Sequence, residues 1–480
     1  MLDFIKKHKW LLAALVLWLV MHAPHMSKDL VGRHVWRQAQ TQGTIENFVT
    51  EDFNILNPRE HRRNVYEGYY RMEFPLYQWL IAGAGKLIGS TVSLSRWLTL
   101  FISLLSILGM FKLLNRFTDD NTAQMGAWAF AWSPSLFYFG INPLPDNLAL
   151  CLGIWGLAMF FKFFESKTKF THLLLSAILL ALAAAIKLPF GLFYAVPFYF
   201  AILALTKWNI KTFIKNLVYI PFLVLPIAWY AWVIPTWDKI GILSGGGNEE
   251  LQKLWYYFVR NLWGIFPELI LNFGSVFFFL VGIWIILKFK LYKHSKGQSF
   301  ILLFIALAAY FFYVLKMIQG NHEYYLFVFY PIVFAIVTLG IKHLIQKSLN
   351  LKRISLALLM LLPIFTYLRS SNSWDTENPS VPKELLDKKE WFQNLTPKED
   401  LCIVGSDQSP YTYFYYLDKR GYAFSNDSIP PEKLALWIKS GAKYLYSDSR
   451  KFEAAKYVHP YLGSLIAEEG NFKVFRLKSP

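Results

Sequence analysis

Four short stretches of this 480-residue chain hold most of the side chains that could do chemistry. The first reads Arg33-His34-Val35-Trp36-Arg37-Gln38-Ala39-Gln40-Thr41; Glu46, Arg59, Arg62, Arg63 and Arg71 follow, then Met72-Glu73-Phe74-Pro75-Leu76-Tyr77. The second, Asn142-Pro143-Leu144-Pro145-Asp146-Asn147, places a carboxylate before an apolar run, and the third, Ala185-Ile186-Lys187-Leu188-Pro189, places a lysine after one. The fourth is His322-Glu323-Tyr324-Tyr325. Guanidinium forks bind phosphate oxygens in pairs, so clustered arginines suit a phosphate-bearing ligand. The plain alternative is a solvated loop touching anionic headgroups. Glu73 and Asp146 could take a proton from a substrate hydroxyl, or could simply complement a helix N-terminus. Lys187 could meet a lipid phosphate or snorkel to the interface. His322 and Glu323 could cap a helix, or with Tyr324 and Tyr325 line a polar pocket.

The elements that must position these groups are apolar. Hydrophobic residues make up 55% of the chain and charged residues 17%, with 18 Trp and 42 Phe, and mean hydropathy is +0.31. Phe suits hydrocarbon and Trp and Tyr the headgroup boundary, so the composition describes a lipid-embedded chain. The net charge of +17 does not point to nucleic acid, because the basic residues sit in short clusters between apolar runs. Cys151 and Cys402 are far apart, which argues against a disulfide or a thiolate metal site. Lys6, Lys7 and Lys9 precede an apolar run with no small-residue cleavage site after it, so it reads as a retained span.

A bilayer core of about 30 Å needs roughly 20 apolar helical residues. The spacing predicts about eleven spans, near residues 9–26, 94–116, 122–141, 147–164, 171–187, 189–206, 213–234, 268–288, 299–316, 323–345 and 352–368. Residues 74–89 are apolar but short, with Lys86 inside and Pro75 near the start. If they lie along the surface, the richest basic connections (Lys112/Arg116, Lys162/Lys167/Lys169, Lys207/Lys211/Lys215, 288–296 and 342–353) all share the N-terminal, cytoplasmic side. Residues 27–93, 235–267 and the tail from about 370 then share the outer side. The tail turns polar. Runs at 401–405, 443–446 and 472–477 read as strands and 431–440 as a helix, giving a small α/β domain over 371–480 after a membrane domain over 1–370.

Taken together, Trp36-Arg37-Gln38 with Thr41, Glu73-Phe74-Pro75-Leu76-Tyr77, Pro145-Asp146 and His322-Glu323-Tyr324-Tyr325 make the sequence resemble the bacterial branch of the superfamily of protein O-mannosyltransferases and lipid A aminoarabinose transferases, glycosyltransferase family 39. The resemblance covers about residues 1–370. It implies a GT-C fold, a polyprenyl-phosphate sugar donor, inversion at the anomeric carbon, and a glycan, lipid or protein acceptor at the outer face of a cytoplasmic membrane. It places a carboxylate as base, Asp146 or Glu73, with Asp29, His34 and Glu46 behind them. Arg37, Lys187 and Arg71 would meet the donor phosphate; His34, Trp36, Gln38, Gln40, His322, Glu323, Tyr324 and Tyr325 would shape the pocket. One departure stands out: Gln40 occupies a place where similar sequences can have Asp, and glutamine takes no proton. Some relatives hold a metal between the juxtamembrane Glu and a later His; residues 235–267 contain no His, so no cofactor is expected here, although a divalent metal stays open. Two other classes compete. A transporter or flippase would favour ionisable groups at mid-membrane or duplicated halves, and a non-catalytic lipid-linked-sugar binding protein would explain Gln40.

Overall fold

The computed structural model describes residues 7–63, 66–166, 169–237, 251–318 and 322–478. Lys6, Lys167, Lys239, glycines 245–247 and residues 320–321 lie outside them. The chain forms two compact units. One comprises residues 1–26, 96–235 and 243–372, the other 27–95, 236–242 and 373–480.

The first unit is helical. Among the described residues, seven helices are long and apolar enough to cross a membrane: Val92–Leu114 (whose first residues belong to the second unit), Pro145–Glu165, Leu188–Thr206, Ile210–Thr236, Ser295–Ile318, Glu323–Lys347 and Leu349–Trp374 (the last residues of Ile210–Thr236 and Leu349–Trp374 also belonging to the second unit). A bent pair, Gln252–Ile270 and Phe273–Lys288, turns by 110° and makes an eighth if taken as one span; Lys9–His25 and Phe170–Ile186 are shorter apolar helices. The expected span at 122–141 is broken into Asp120–Ala131 and Pro134–Phe139. Pro134 cannot donate a backbone hydrogen bond, and the break is stapled by polar side chains. The freed carbonyl of Trp132 accepts from Asn272 Nδ2 at 3.2 Å and from Thr366 Oγ1 at 2.5 Å. Close helix approach also needs small residues here. A Cβ on Gly282 would lie 2.0 Å from the Ile336 carbonyl oxygen, and one on Gly340 1.9 Å from that of Phe278. Large apolar side chains left exposed, such as Leu287, Phe312 and Leu368, suit lipid contact.

The second unit is built on a five-stranded sheet in the order β2-β1-β3-β5-β4, where β1 is Leu401–Gly405, β2 Arg420–Ala423, β3 Ala442–Ser447, β4 Leu462–Glu469 and β5 Phe472–Leu477. β2, β1 and β3 are parallel, and β5 and β4 are added antiparallel. The parallel part is covered on both faces, as its apolar runs require. Leu434, Trp437 and Phe452 pack on one side. Leu30, Val35 and Ala39 join Phe392, Tyr413 and Phe414 on the other, so the early helix Val35–Thr50 shares a core with the C-terminal sheet. The same early region also covers the β2 edge, an otherwise open template for pairing. Gly421 N donates to the His61 carbonyl at 3.1 Å and its own carbonyl accepts from Arg63 N. Only glycine fits there, at φ +145°, because a Cβ would sit 2.0 Å from the Cys402 carbonyl oxygen. Residues 74–89 form the helix Leu76–Ile88. At 13 residues it is about 20 Å long, too short to span; it buries Tyr77, Ile81 and Ala82 and exposes Leu80, Leu87 and Ile88.

Candidate active site

Each unit gathers one cluster of the residues singled out above. In the first, Asp146 opens the helix Pro145–Ser166 and is 1% exposed. The turn before it is fixed by Asn147, whose Nδ2 donates to the Phe139 and Leu144 carbonyls at 2.8 and 3.3 Å. Lys187 ends the helix Phe170–Ile186 in extended backbone, φ −148° and ψ 109°. That break in the helix turns its side chain to Asp146, with Nζ 3.3 Å from each carboxylate oxygen. The ammonium also lies 5.1 Å from the Tyr325 ring centre and 5.9 Å from that of Tyr324, within reach of the rings' negative faces. Both tyrosines come from the turn Glu323–Phe329. The His322 ring stacks on Tyr325 at 5.5 Å, and Tyr310 Oη donates to the Tyr325 carbonyl at 3.4 Å. Glu323 is buried. Asp146, Lys187, His322, Tyr324 and Tyr325 are thus brought together from three separate stretches of sequence. The snorkelling account of Lys187 fails, because its ammonium is turned onto a buried carboxylate.

In the second unit, Arg37 and Gln40 lie three residues apart on one face of the helix Val35–Thr50. Arg37 donates one arm of its fork to Glu73 and the other to Gln40 Oε1. Gln40 Nε2 then donates to Glu60 Oε1 at 2.9 Å, and Glu60 Oε2 lies 3.6 Å from Arg62 Nε. Glu73 therefore serves Arg37, and the helix after it has no side-chain cap. Burial pushes the Glu60 carboxyl up to about 7, against the pull of Arg62 and the Gln40 hydrogen bond. The Arg62 guanidinium stands 5.3 Å over the Tyr411 ring, and Trp36 stacks on Tyr411 at 6.1 Å. A water-sized cavity of about 20 Å³ opens among Arg37, Gln40, Thr44, Tyr70, Glu73 and Gln78.

Other sequence candidates act elsewhere in this unit. Arg71 braces the loop, donating to the Leu56 carbonyl at 2.9 Å and Asn57 Oδ1 at 3.0 Å. Arg59 and Arg63 share Glu51. His34 precedes the helix in left-handed backbone with its ring 5.9 Å from Trp36, and Gln38 ties back to the Arg33 carbonyl at 2.9 Å. Asp29 pairs with Lys389 at 2.7 Å, and Glu46 lies 3.5 Å from His61. Glu60, Tyr70 and Tyr411 had gone unnoticed. Glu60 sits in the run Arg59-Glu60-His61-Arg62-Arg63, which looks like a solvated charge run, and the one available hint was a lone acid among arginines. Among the described residues no three His, Cys, Asp or Glu side chains come together to hold an ion.

The apolar helices describe a multi-pass membrane protein, and the architecture is the GT-C fold. Residues 73–232 match the sequence family described as Dolichyl-phosphate-mannose-protein mannosyltransferase. ArnT from Cupriavidus metallidurans aligns with a TM-score of 0.66 at 12% identity, covering 97% of either chain. The Archaeoglobus fulgidus oligosaccharyltransferase aligns at 0.60 and 13%, covering 92% of this chain and 68% of that one. The mycobacterial arabinofuranosyltransferase AftD aligns at 0.55 and 14%, covering 98% of this chain and 40% of that one. ArnT has been seen bound to undecaprenyl phosphate, and the A. fulgidus enzyme in complex with an inhibitory peptide and a dolichol-phosphate. No curated protein matches the sequence.

Proposed function

We propose that this protein transfers a sugar from a polyprenyl-phosphate donor to a hydroxyl-bearing glycan, lipid or protein acceptor, at the outer face of a cytoplasmic membrane and with inversion. The observation that carries this reading is the buried Asp146–Lys187 pair, 3.3 Å apart beside two tyrosines. A carboxylate and a cation held together in an apolar unit cost several kcal/mol in desolvation unless they serve something. In the proposed reaction the acceptor hydroxyl attacks the anomeric carbon, its proton passes to Asp146 or Glu73, and the bond from that carbon to the phosphate oxygen breaks. Polyprenyl phosphate leaves with the bonding pair. Lys187 where Asp146 is the base, or Arg37 where Glu73 is, offers charge to the departing phosphate, which is already a fair leaving group, so alignment, a base and charge compensation are the main needs.

The test is release of polyprenyl phosphate from a panel of polyprenyl-phosphate sugars by purified protein in lipid. Release from one donor, stimulated by an acceptor and lost in Asp146→Asn, is the expected result. Saturable donor binding with no release would favour a lipid-linked-sugar binding protein instead, a reading that Gln40 supports because its amide is fully engaged by Arg37 and Glu60 and takes no proton.

A further inference from the structure

The second unit contains a far larger cavity than the one beside Glu73; Asp29 and Glu46 line it, whereas Asp146, Glu73, Lys187 and Arg37 do not. It measures about 570 Å³, within the roughly 300–1,000 Å³ of small-molecule sites. Its walls come from residues 27–29, the C-terminal end of the helix Val35–Thr50, His61, residues 90–93, and the C-terminal segment at 389–420. Three features define what it could hold. Its wall carries charges of both signs: Lys389 Nζ lies 2.7 Å from Asp29 and donates to Tyr415 Oη at 2.9 Å, Lys398 pairs with Asp418, Arg420 Nε lies 3.0 Å from the Glu51 carboxylate that Arg59 and Arg63 also reach, and Lys28 Nζ donates to the Trp374 carbonyl at 2.9 Å. Beside Glu46 and His61, the rest of the wall is hydroxyl and amide, from Ser27, Thr50, Ser90, Thr91, Ser93 and Gln393, with Val49 and Val92 as its aliphatic members. An acyl chain would find little to bury against. Carboxylates, ammonium groups and hydroxyls set side by side offer alternating acceptors and donors, the complement of a polyol. Finally, two wall segments are continuous in the chain with apolar helices, residues 27–29 following Lys9–His25 and residues 90–93 leading into Val92–Leu114.

We infer that this cavity is a saccharide-binding site for a hydroxyl-rich glycan, built between the early loop and the C-terminal sheet. It goes beyond the transfer reaction and does not depend on it, since binding here needs no donor and no turnover. The experiment is titration of the full-length protein in lipid nanodiscs with short neutral oligosaccharides of gluco, manno and arabino type, with inorganic phosphate and phosphatidylglycerol vesicles as competitors. Saturable binding of a neutral oligosaccharide is expected, unaffected by phosphate or by Asp146→Asn. Asp418→Asn keeps a residue tolerant of the left-handed backbone found there, φ 48°, and should weaken binding about tenfold, 1.4 kcal/mol. Ser93→Trp should abolish binding by filling the cavity, and it keeps the test open if the first variant fails to fold. Lack of binding across the neutral panel, or displacement of the sugar by phosphate or anionic vesicles, overturns the inference. Absence of transferase turnover with sugar binding intact would count against the proposed reaction and leave this site standing.

Discussion

The two clusters solve the problem of buried charge in opposite ways. In the helical unit the Asp146 carboxylate meets the Lys187 ammonium beside the rings of Tyr324 and Tyr325. In the sheet-containing unit two carboxylates and two arginines are strung through Gln40, so Arg37 has two acceptors and Glu60 two donors. The first arrangement concentrates function in one bond, and each partner can be released as a reacting group. The second spreads charge over a scaffold formed within one early loop, suited to holding geometry. The difference teaches where sensitivity should lie: the pair should be brittle and the network forgiving.

The largest effect is expected at the pair. Asp146→Asn should lower turnover by about 10²–10⁴-fold, the usual contribution of a general base, and should destabilise the fold by about 3–5 kcal/mol because it leaves the lysine charge uncompensated. Adding Lys187→Gln should recover most of the stability and none of the turnover, measured by thermal unfolding alongside polyprenyl phosphate release. Recovery of both would show the pair to be structural only. Glu73→Gln should act more mildly on the fold, about 1–2 kcal/mol, since Arg37 keeps Gln40 as acceptor; its effect on turnover reports whether Glu73 is the base. A stability loss larger than that of Asp146→Asn would reverse the comparison. Gln40→Glu removes the donor to Glu60 and adds a like charge between two carboxylates. It should destabilise the protein near neutral pH and recover on acidification, as protonation relieves the repulsion. A gain in turnover instead would identify position 40 as the place of a missing base.

Much of this was legible in the sequence. The eleven apolar stretches fall on apolar helical segments, because hydrocarbon demands long uncharged runs whatever the tertiary context. The shortness of the helix Leu76–Ile88 was readable from the length of its apolar run. Strands β1, β3 and β5 show as apolar runs, whereas β2 (Arg-Gly-Tyr-Ala) and β4 (Leu-Gly-Ser-Leu-Ile-Ala-Glu-Glu) carry glycine, charge or weak alternation and went unseen. Asp146 and Lys187 stood out because each is a charge beside apolar sequence, although nothing in the sequence says that they meet 41 residues apart. The arginines of the early loop showed their type and not their partners: Glu51, Glu60 and Glu73 neutralise them from within the same unit, and such pairing depends on turns that local pattern does not encode. For the same reason the sharing of one core between Val35, Ala39 and the C-terminal sheet is invisible in a chain where they lie hundreds of residues apart.

The smallest effect sharpens the contrast through pH, which the network feels and which its neighbouring cavity shares. Glu46 faces His61 at 3.5 Å and accepts from Gln42 at 3.2 Å, with Asp418, Lys389 and Lys398 acting on it from the C-terminal segment. Burial, helped by the Asp418 charge, raises its carboxyl from 4.5 to about 7, so the folded state holds a proton that the unfolded chain has lost. The stability this contributes is complete below about pH 4.5 and is lost as pH rises through about 7. Burial moves His61 the other way, from 6.5 to about 3, so its contribution is present above 6.5 and is lost as pH falls toward 3. Between about pH 6.5 and 8 the carboxylates act alone, and Tm should fall as pH rises. Glu46→Gln should remove part of that slope, raising stability at about pH 8 by on the order of 1 kcal/mol while changing little at about pH 5, because a quarter of the side chain is exposed and solvent screens it. Thermal unfolding followed by tryptophan fluorescence across that range measures it. An unchanged slope in Glu46→Gln that Glu60→Gln alone flattens would place the pH response in the arginine network, and not in the wall of the cavity.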